Sequence, residues 1–127
     1  MHESSLARQI LELSLAAAAR AGGARVAAVR GRVAETETLS RASLELHFHA
    51  RAAGTPAEGA RLDIELVHVE ARCRACAAIY RPEHHVVLCT RCGSTDGELL
   101  GATGLWIASI DVAGEVVDDV ADDGAGP

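Results

Sequence analysis

The chain has 127 residues, 49% of them apolar and 2% aromatic, and its 12 basic residues, all arginine, face 18 acidic ones for a net charge of −6. That charge has the wrong sign for a default nucleic-acid surface, and so few aromatics give no platform for stacking bases. The lack of lysine excludes Schiff-base lysine chemistry and a lysine-bearing phosphate loop. The length fits one domain, or one domain with a small inset, and a core of mostly Ala, Val and Leu is marginal at this size without a metal or a partner.

The apolar runs, such as Leu15 to Ala19, are far short of the roughly 20 residues a spanning helix needs. The start, Met1-His2-Glu3, lacks the basic region of an export signal. The expectation is a cytoplasmic protein whose cysteines stay reduced and act as metal ligands rather than as disulfides.

Along the chain, Leu6, Ile10, Leu13 and Ala17 form one stripe of an amphipathic helix that Ser4 or Ser5 can cap and Gly22-Gly23 can end. Residues 25–34 alternate as a strand. Residues 36–51 fit either element. Leu44, Leu46, Phe48 and Ala50 alternate with Glu45, His47 and His49, which leans to strand; Leu44, Phe48 and Arg51, with Thr38 or Ser40 as a cap, fit a helix. Residues 53–59 read as a turn and 61–69 as a strand. Residues 105–112 form a last strand, with Trp106, Ala108, Ile110 and Val112 expected on one face. After Gly114 come five acidic residues and no basic one, the composition of a solvated, disordered tail.

The clearest motif is Cys73-Arg74-Ala75-Cys76, twelve intervening residues, then Cys89-Thr90-Arg91-Cys92-Gly93. Two such knuckles bring four thiolates to the corners of a tetrahedron, which suits Zn²⁺. With four protein ligands and no position open to water, the site is expected to be structural. A segment with little apolar content gains from the metal the stability its own core cannot supply. Iron in a rubredoxin-like site lacks its aromatic shell here. His84 and His85, in the loop between the knuckles, read first as exposed loop histidines.

At the other end, Met1 is expected to be retained before the bulky His2, leaving the α-amine free. That amine, the amide nitrogens of His2 and Glu3, and the His2 imidazole can supply four nitrogens in a near-square plane, a set that favours Ni(II) or Cu(II). By itself, His2 reads as an ordinary terminal histidine.

Taken together, Met1-His2-Glu3 before a helix, Thr55-Pro56-Ala57-Glu58-Gly59-Ala60 before a strand, the two Cys-x-x-Cys knuckles and the final strand resemble the hydrogenase nickel-incorporation family HypA/HybF over roughly residues 1–112. The resemblance implies an α/β fold, two helices on a small three-stranded mixed sheet with an inserted zinc-ribbon-like domain. It makes residues 38–51 the second helix, against the lean of the periodicity. It further implies a metallochaperone, not an enzyme, with transferable Ni(II) at Met1, His2 and Glu3 and structural Zn(II) at Cys73, Cys76, Cys89 and Cys92. Its partners would be the GTPase HypB, the large subunit of [NiFe]-hydrogenase and, in some members, urease accessory proteins. Residues 1–70 and 102–113 would form the nickel-binding domain, 71–101 the zinc inset and 114–127 the acidic tail. The chain departs from the family pattern at residues 34–40, where Glu35 and Glu37 read as solvated loop charges or as a further carboxylate near nickel. The competing function is a zinc-ribbon module that binds protein or nucleic acid, using Arg72, Arg74, Arg81 and Arg91 as a positive patch. A hydrolase or redox enzyme finds no nucleophile signature to build on.

Overall fold

The computed structural model describes residues 2–83, 86–112 and 115–118, the last four by their backbone only. Helix α1 spans Glu3–Arg20, and its apolar stripe is wider than the expected one: Leu6, Ala7, Ile10, Leu11, Ala17 and Ala18 are all buried. The helix ends as Gly22-Gly23 suggests. Both glycines have positive φ, and the Gly23 amide reaches back to the Ala18 carbonyl at 2.8 Å. Its start is displaced from the expected serines: His2 is the N-cap, and Ser4 Oγ instead accepts a bond from Arg51 Nη2 at 3.0 Å.

Strand β1 is Val26–Glu35, and helix α2, Arg41–Ala52, follows with Ser40 as its cap. Ser40 Oγ accepts the Ser43 amide at 3.1 Å. The alternation that leaned toward a strand is overruled because Leu44, Phe48 and Ala52, four residues apart, are the positions that bury, while Leu46 stays 70% exposed. The turn after α2 is built by its own side chains: Thr55 Oγ1 donates to the Ala52 carbonyl at 2.7 Å, and Glu58 Oε1 accepts the Gly54 amide at 3.1 Å. Strand β2, Arg61–His68, then pairs parallel to β1, the α2 crossover making this possible.

Three short strands form a second sheet in the order β4-β3-β5: β3 is Ala71–Cys73, β4 Ile79–Tyr80 and β5 Gly97–Leu99. The chain then returns as β6, Gly104–Val112, antiparallel to β1, and β7, Glu115–Asp118, adds a strand antiparallel to β6. The main sheet therefore runs β2-β1-β6-β7, the expected mixed three-stranded sheet with one more edge strand. Glu115–Asp118, assigned from sequence to the disordered tail, are paired strand backbone; residues 119–127 lie outside the described ones. Helix α1 packs on α2, β1 and β6, and the core between them holds Leu6, Ile10, Leu44, Phe48, Ile64 and Ile110.

The face expected for β6 does not survive folding. Arg30 pairs with Ser109 but the next residue, Gly31, pairs with Ile107, so Ala108 is extra. This bulge resets the alternation. Ile107 and Ile110 both face the core, Ala108 is exposed, and Trp106 lies on the opposite face beneath Arg32, whose guanidinium carbon sits 4.9 Å from the ring centroid. A Cβ at Gly31 would collide with the Trp106 carbonyl and Ile107.

Candidate metal centres

The two cysteine knuckles are near copies. In each, the amide four residues after the first cysteine returns to that cysteine's carbonyl at 2.9 Å, Ala77 to Cys73 and Gly93 to Cys89. Both turns need a left-handed residue there. Gly93 (φ +78°) adopts it without cost, whereas Ala77 (φ +66°) carries a Cβ into a region L-residues avoid. Strand β3 supplies Cys73, and Gly97 of β5 lies against Tyr80 so closely that a Cβ there would meet the Tyr80 hydroxyl.

The four sulfurs converge. Cys73, Cys76, Cys89 and Cys92 place their Sγ atoms within 4.8 Å of one another, the one such His/Cys/Asp/Glu group among the described residues. Cys73–Cys92 and Cys76–Cys89 are each separated by 3.6 Å, so these are free thiols and no disulfide. Four sulfurs at a zinc–sulfur distance of about 2.3 Å form a tetrahedron with edges of about 3.8 Å. Both the spacing and the all-thiol donor set fit Zn²⁺.

Charge at the cluster is uneven. The Cys89 thiol is lowered to about 6, chiefly because the Cys92 amide, and then the Arg91 amide, donate to its sulfur, each at 3.4 Å, against the opposing effect of burial. The Cys76 and Arg-flanked Ala75 amides likewise lower Cys73. At Cys92 the Ser94 amide pulls downward, but the bond with Cys73, burial and the bonds with Cys76 and Cys89 outweigh it and raise the thiol to about 11. Burial, followed by the surrounding cysteines, raises Tyr80.

Two of the four arginines proposed as a positive patch, Arg72 and Arg74, have acidic partners. Arg74 reaches Asp96 at 2.9 Å and Glu98 at 3.9 Å, and Arg72 reaches Glu98 at 3.6 Å. His84 and His85 lie outside the described residues, between Glu83 and Val86, which form an isolated bridge.

At the amino terminus, Met1 is outside the described residues; His2 and Glu3 are the N-cap and first residue of α1. The His2 imidazole is 80% exposed, and its Nδ1 lies 3.8 Å from Glu37 Oε2. Glu3 Oε2 accepts the Ser40 amide at 2.8 Å, which ties the start of α1 to the start of α2. Glu35 and Glu37 are each only 7% exposed, so the reading of both as solvated loop charges is wrong. Glu35 ends β1 on the core-facing side, opposite His68, and Glu37 sits beneath His2. Sequence missed this placement because nothing local marks a loop carboxylate as buried. His47 and His49 sit on α2, one half-buried and one exposed. His68, not singled out from sequence, bridges two segments: Nδ1 lies 3.2 Å from Thr38 Oγ1 and Nε2 2.7 Å from the Pro82 carbonyl.

This architecture has relatives. The structure resembles the solution structure of the Ni metallochaperone HypA from Helicobacter pylori, with a TM-score of 0.55 at 20% identity, covering 91% of this chain and 100% of that one; at that identity the likeness concerns the fold. In sequence, the chain is 36% identical over 115 residues to the hydrogenase maturation factor HypA of Polaromonas naphthalenivorans, covering 91% of this chain and 100% of the relative. It is 33% identical over 112 residues to that of Roseiflexus sp., covering 87% and 91%. The family model described as hydrogenase/urease nickel incorporation, metallochaperone, matches residues 1–112, from the Met-His-Glu start through both knuckles to the end of β6, and on that match the chain belongs to the HypA family.

Proposed function

We propose that this protein binds Ni(II) at Met1, His2 and Glu3 and hands it on for maturation of [NiFe]-hydrogenase, while Zn(II) at Cys73, Cys76, Cys89 and Cys92 holds the inset in shape. The protein moves a metal and catalyses no reaction. The observation that carries this reading is the position of His2 and Glu3 at the N-cap and first position of α1. Amides there have no carbonyl one turn earlier to bond to, so they stay available as nitrogen donors. The positive end of the helix dipole also favours the negative charge an ionised amide acquires. The carboxylate of Glu3 is engaged by Ser40, which supports its amide nitrogen, rather than its side chain, as the donor. The exposed His2 ring supplies a further nitrogen, and affinity rises with pH because amides must lose protons.

Delivery in the cytoplasm through the GTPase HypB to the hydrogenase large subunit, or toward urease accessory proteins, is part of the same proposal, and membership of a hydrogenase/urease nickel-incorporation family supports it. Pairing of Arg72 and Arg74 with Glu98 and Asp96 weakens the nucleic-acid reading. The test is Ni(II) titration of untagged protein, followed by absorbance. A yellow, low-spin species that disappears in His2→Ala, or when a residue is added before Met1, with zinc content and fold unchanged, supports the site. Unchanged Ni(II) uptake in both variants would place it elsewhere.

A further inference from the structure

We infer that His68 is a positioning residue that couples the zinc inset to the amino-terminal nickel site, an inference that rests on the nickel reading proposed above. A carbonyl oxygen only accepts, so the 2.7 Å contact with Pro82 requires the proton on Nε2. In the neutral ring Nδ1 is then an acceptor, and Thr38 Oγ1 donates to it at 3.2 Å. One imidazole thus uses both nitrogens to join segments that are far apart in sequence. Pro82 is fully buried and lies in the span between Cys76 and Cys89, two of the four clustered cysteines; a metal held by that cluster would fix both ends of the span. Thr38 lies in the short segment whose Glu37 faces His2 and whose Ser40 amide holds Glu3.

The junction is not closely filled. An open cleft of about 130 Å³, lined by Glu37, Thr38, Leu66, His68 and Arg81 among others, lies at the junction. The backbone bond from the Val69 amide to the Glu35 carbonyl, 2.7 Å, extends the strand pairing beside it and does not depend on the His68 side chain. Removing the imidazole therefore leaves the sheet intact and cuts the connection between Pro82 and Thr38. With zinc bound, Pro82 is fixed, His68 is oriented and residues 36–40 are held under His2 and Glu3. Without zinc, Pro82 loses its support and the nickel end loosens.

The test compares Ni(II) dissociation constants of the full chain, zinc-loaded and zinc-stripped under reducing conditions, for wild type, His68→Ala and His68→Gln. Glutamine keeps an N–H for Pro82 and an acceptor for Thr38. Stripping zinc should weaken Ni(II) binding at least about fivefold in wild type and His68→Gln, and by less than about twofold in His68→Ala. A His68→Ala chain with the wild-type zinc dependence, or a wild type with none, overturns the coupling. Amide exchange gives a readout that needs no nickel: zinc removal should speed exchange at residues 36–40 in wild type and His68→Gln, whereas His68→Ala should exchange fast in both states. Exchange there that ignores zinc in the wild type overturns the role of His68. A wild type that takes up no Ni(II) in either state refutes the nickel site, and the exchange result then decides on His68 alone.

Discussion

The carboxylate of Glu3 accepts the backbone amide of Ser40 at 2.8 Å, so the first residue of α1 caps the start of α2. The two helices begin side by side, and Ser40 serves both: its amide binds Glu3, and its hydroxyl receives the Ser43 amide. Glu3→Ala should cost about 1 kcal/mol in urea unfolding, the size of a lost cap. Because the amide nitrogen of residue 3 remains, Ni(II) affinity in that variant should fall far less than in His2→Ala. An equal loss in both would make the Glu3 carboxylate itself a ligand.

Cys89 is buried and receives two amides at its sulfur. Cys89→Ser should lower bound zinc below one per chain and open the inset, while near-native helix content survives in the far-UV spectrum because the α1–α2 core does not touch the cysteines. Loss of all helical signal would show that the inset is required for the whole fold.

Zinc binding should displace protons in a pH-dependent number. With Cys89 lowered to about 6, that sulfur is already thiolate at pH 8 and has no proton to release; below its value it does. Calorimetry in buffers of different ionisation enthalpy should therefore find more protons released per zinc at pH 5 than at pH 8, Cys89 contributing close to one of them. The sign is fixed by the lowered value, and zinc affinity should weaken over the same range. A proton count that does not change would contradict the amide-stabilised thiolate.

The two knuckle turns differ at their left-handed position, Ala77 in one and Gly93 in the other. Gly93→Ala places a Cβ at φ +78° and should destabilise the zinc-loaded protein by about 1 kcal/mol. Ala77→Gly relieves the same conformation at φ +66° but adds freedom to the unfolded chain, so the net change should be within about 1 kcal/mol, toward greater stability. Thermal melts of the two variants should move in opposite directions.

Gly31 faces the bulge in β6, and its missing Cβ leaves room for the Trp106 carbonyl. Gly31→Ala pushes against backbone rather than a flexible side chain and should cost about 1–3 kcal/mol. Since Trp106 is the single tryptophan, its fluorescence should shift in the same variant. An unchanged melt and spectrum would mean that the bulge yields freely.

How much of this was legible in sequence varies with the range of the interaction. The cysteine cluster was, because two Cys-x-x-Cys turns are local and their spacing alone nearly dictates convergence of the sulfurs. The helix over residues 41–52 was not legible from periodicity. Leu46 and Ala50 complete an alternation that competes with the helical stripe, and only the core below Leu44 and Phe48 decides between them. The family resemblance assigned it correctly where the count of apolar positions did not. The face of Trp106 was also misread, since a bulge depends on how β6 meets β1 and leaves no mark in either strand alone.

By itself the sequence determined a small acidic domain with a four-thiol site, and a Met-His-Glu start ahead of an amphipathic helix. Those features depend on residues close together in the chain, where bond geometry limits the alternatives. Only the tertiary structure decided that Glu37 lies under His2, that Glu3 caps α2, and that His68 stands between Thr38 and Pro82. Each of those contacts joins segments separated by tens of residues or by a whole element. They arise from parallel pairing of β1 with β2 and from the seat of the inset beside them, and no local pattern encodes either.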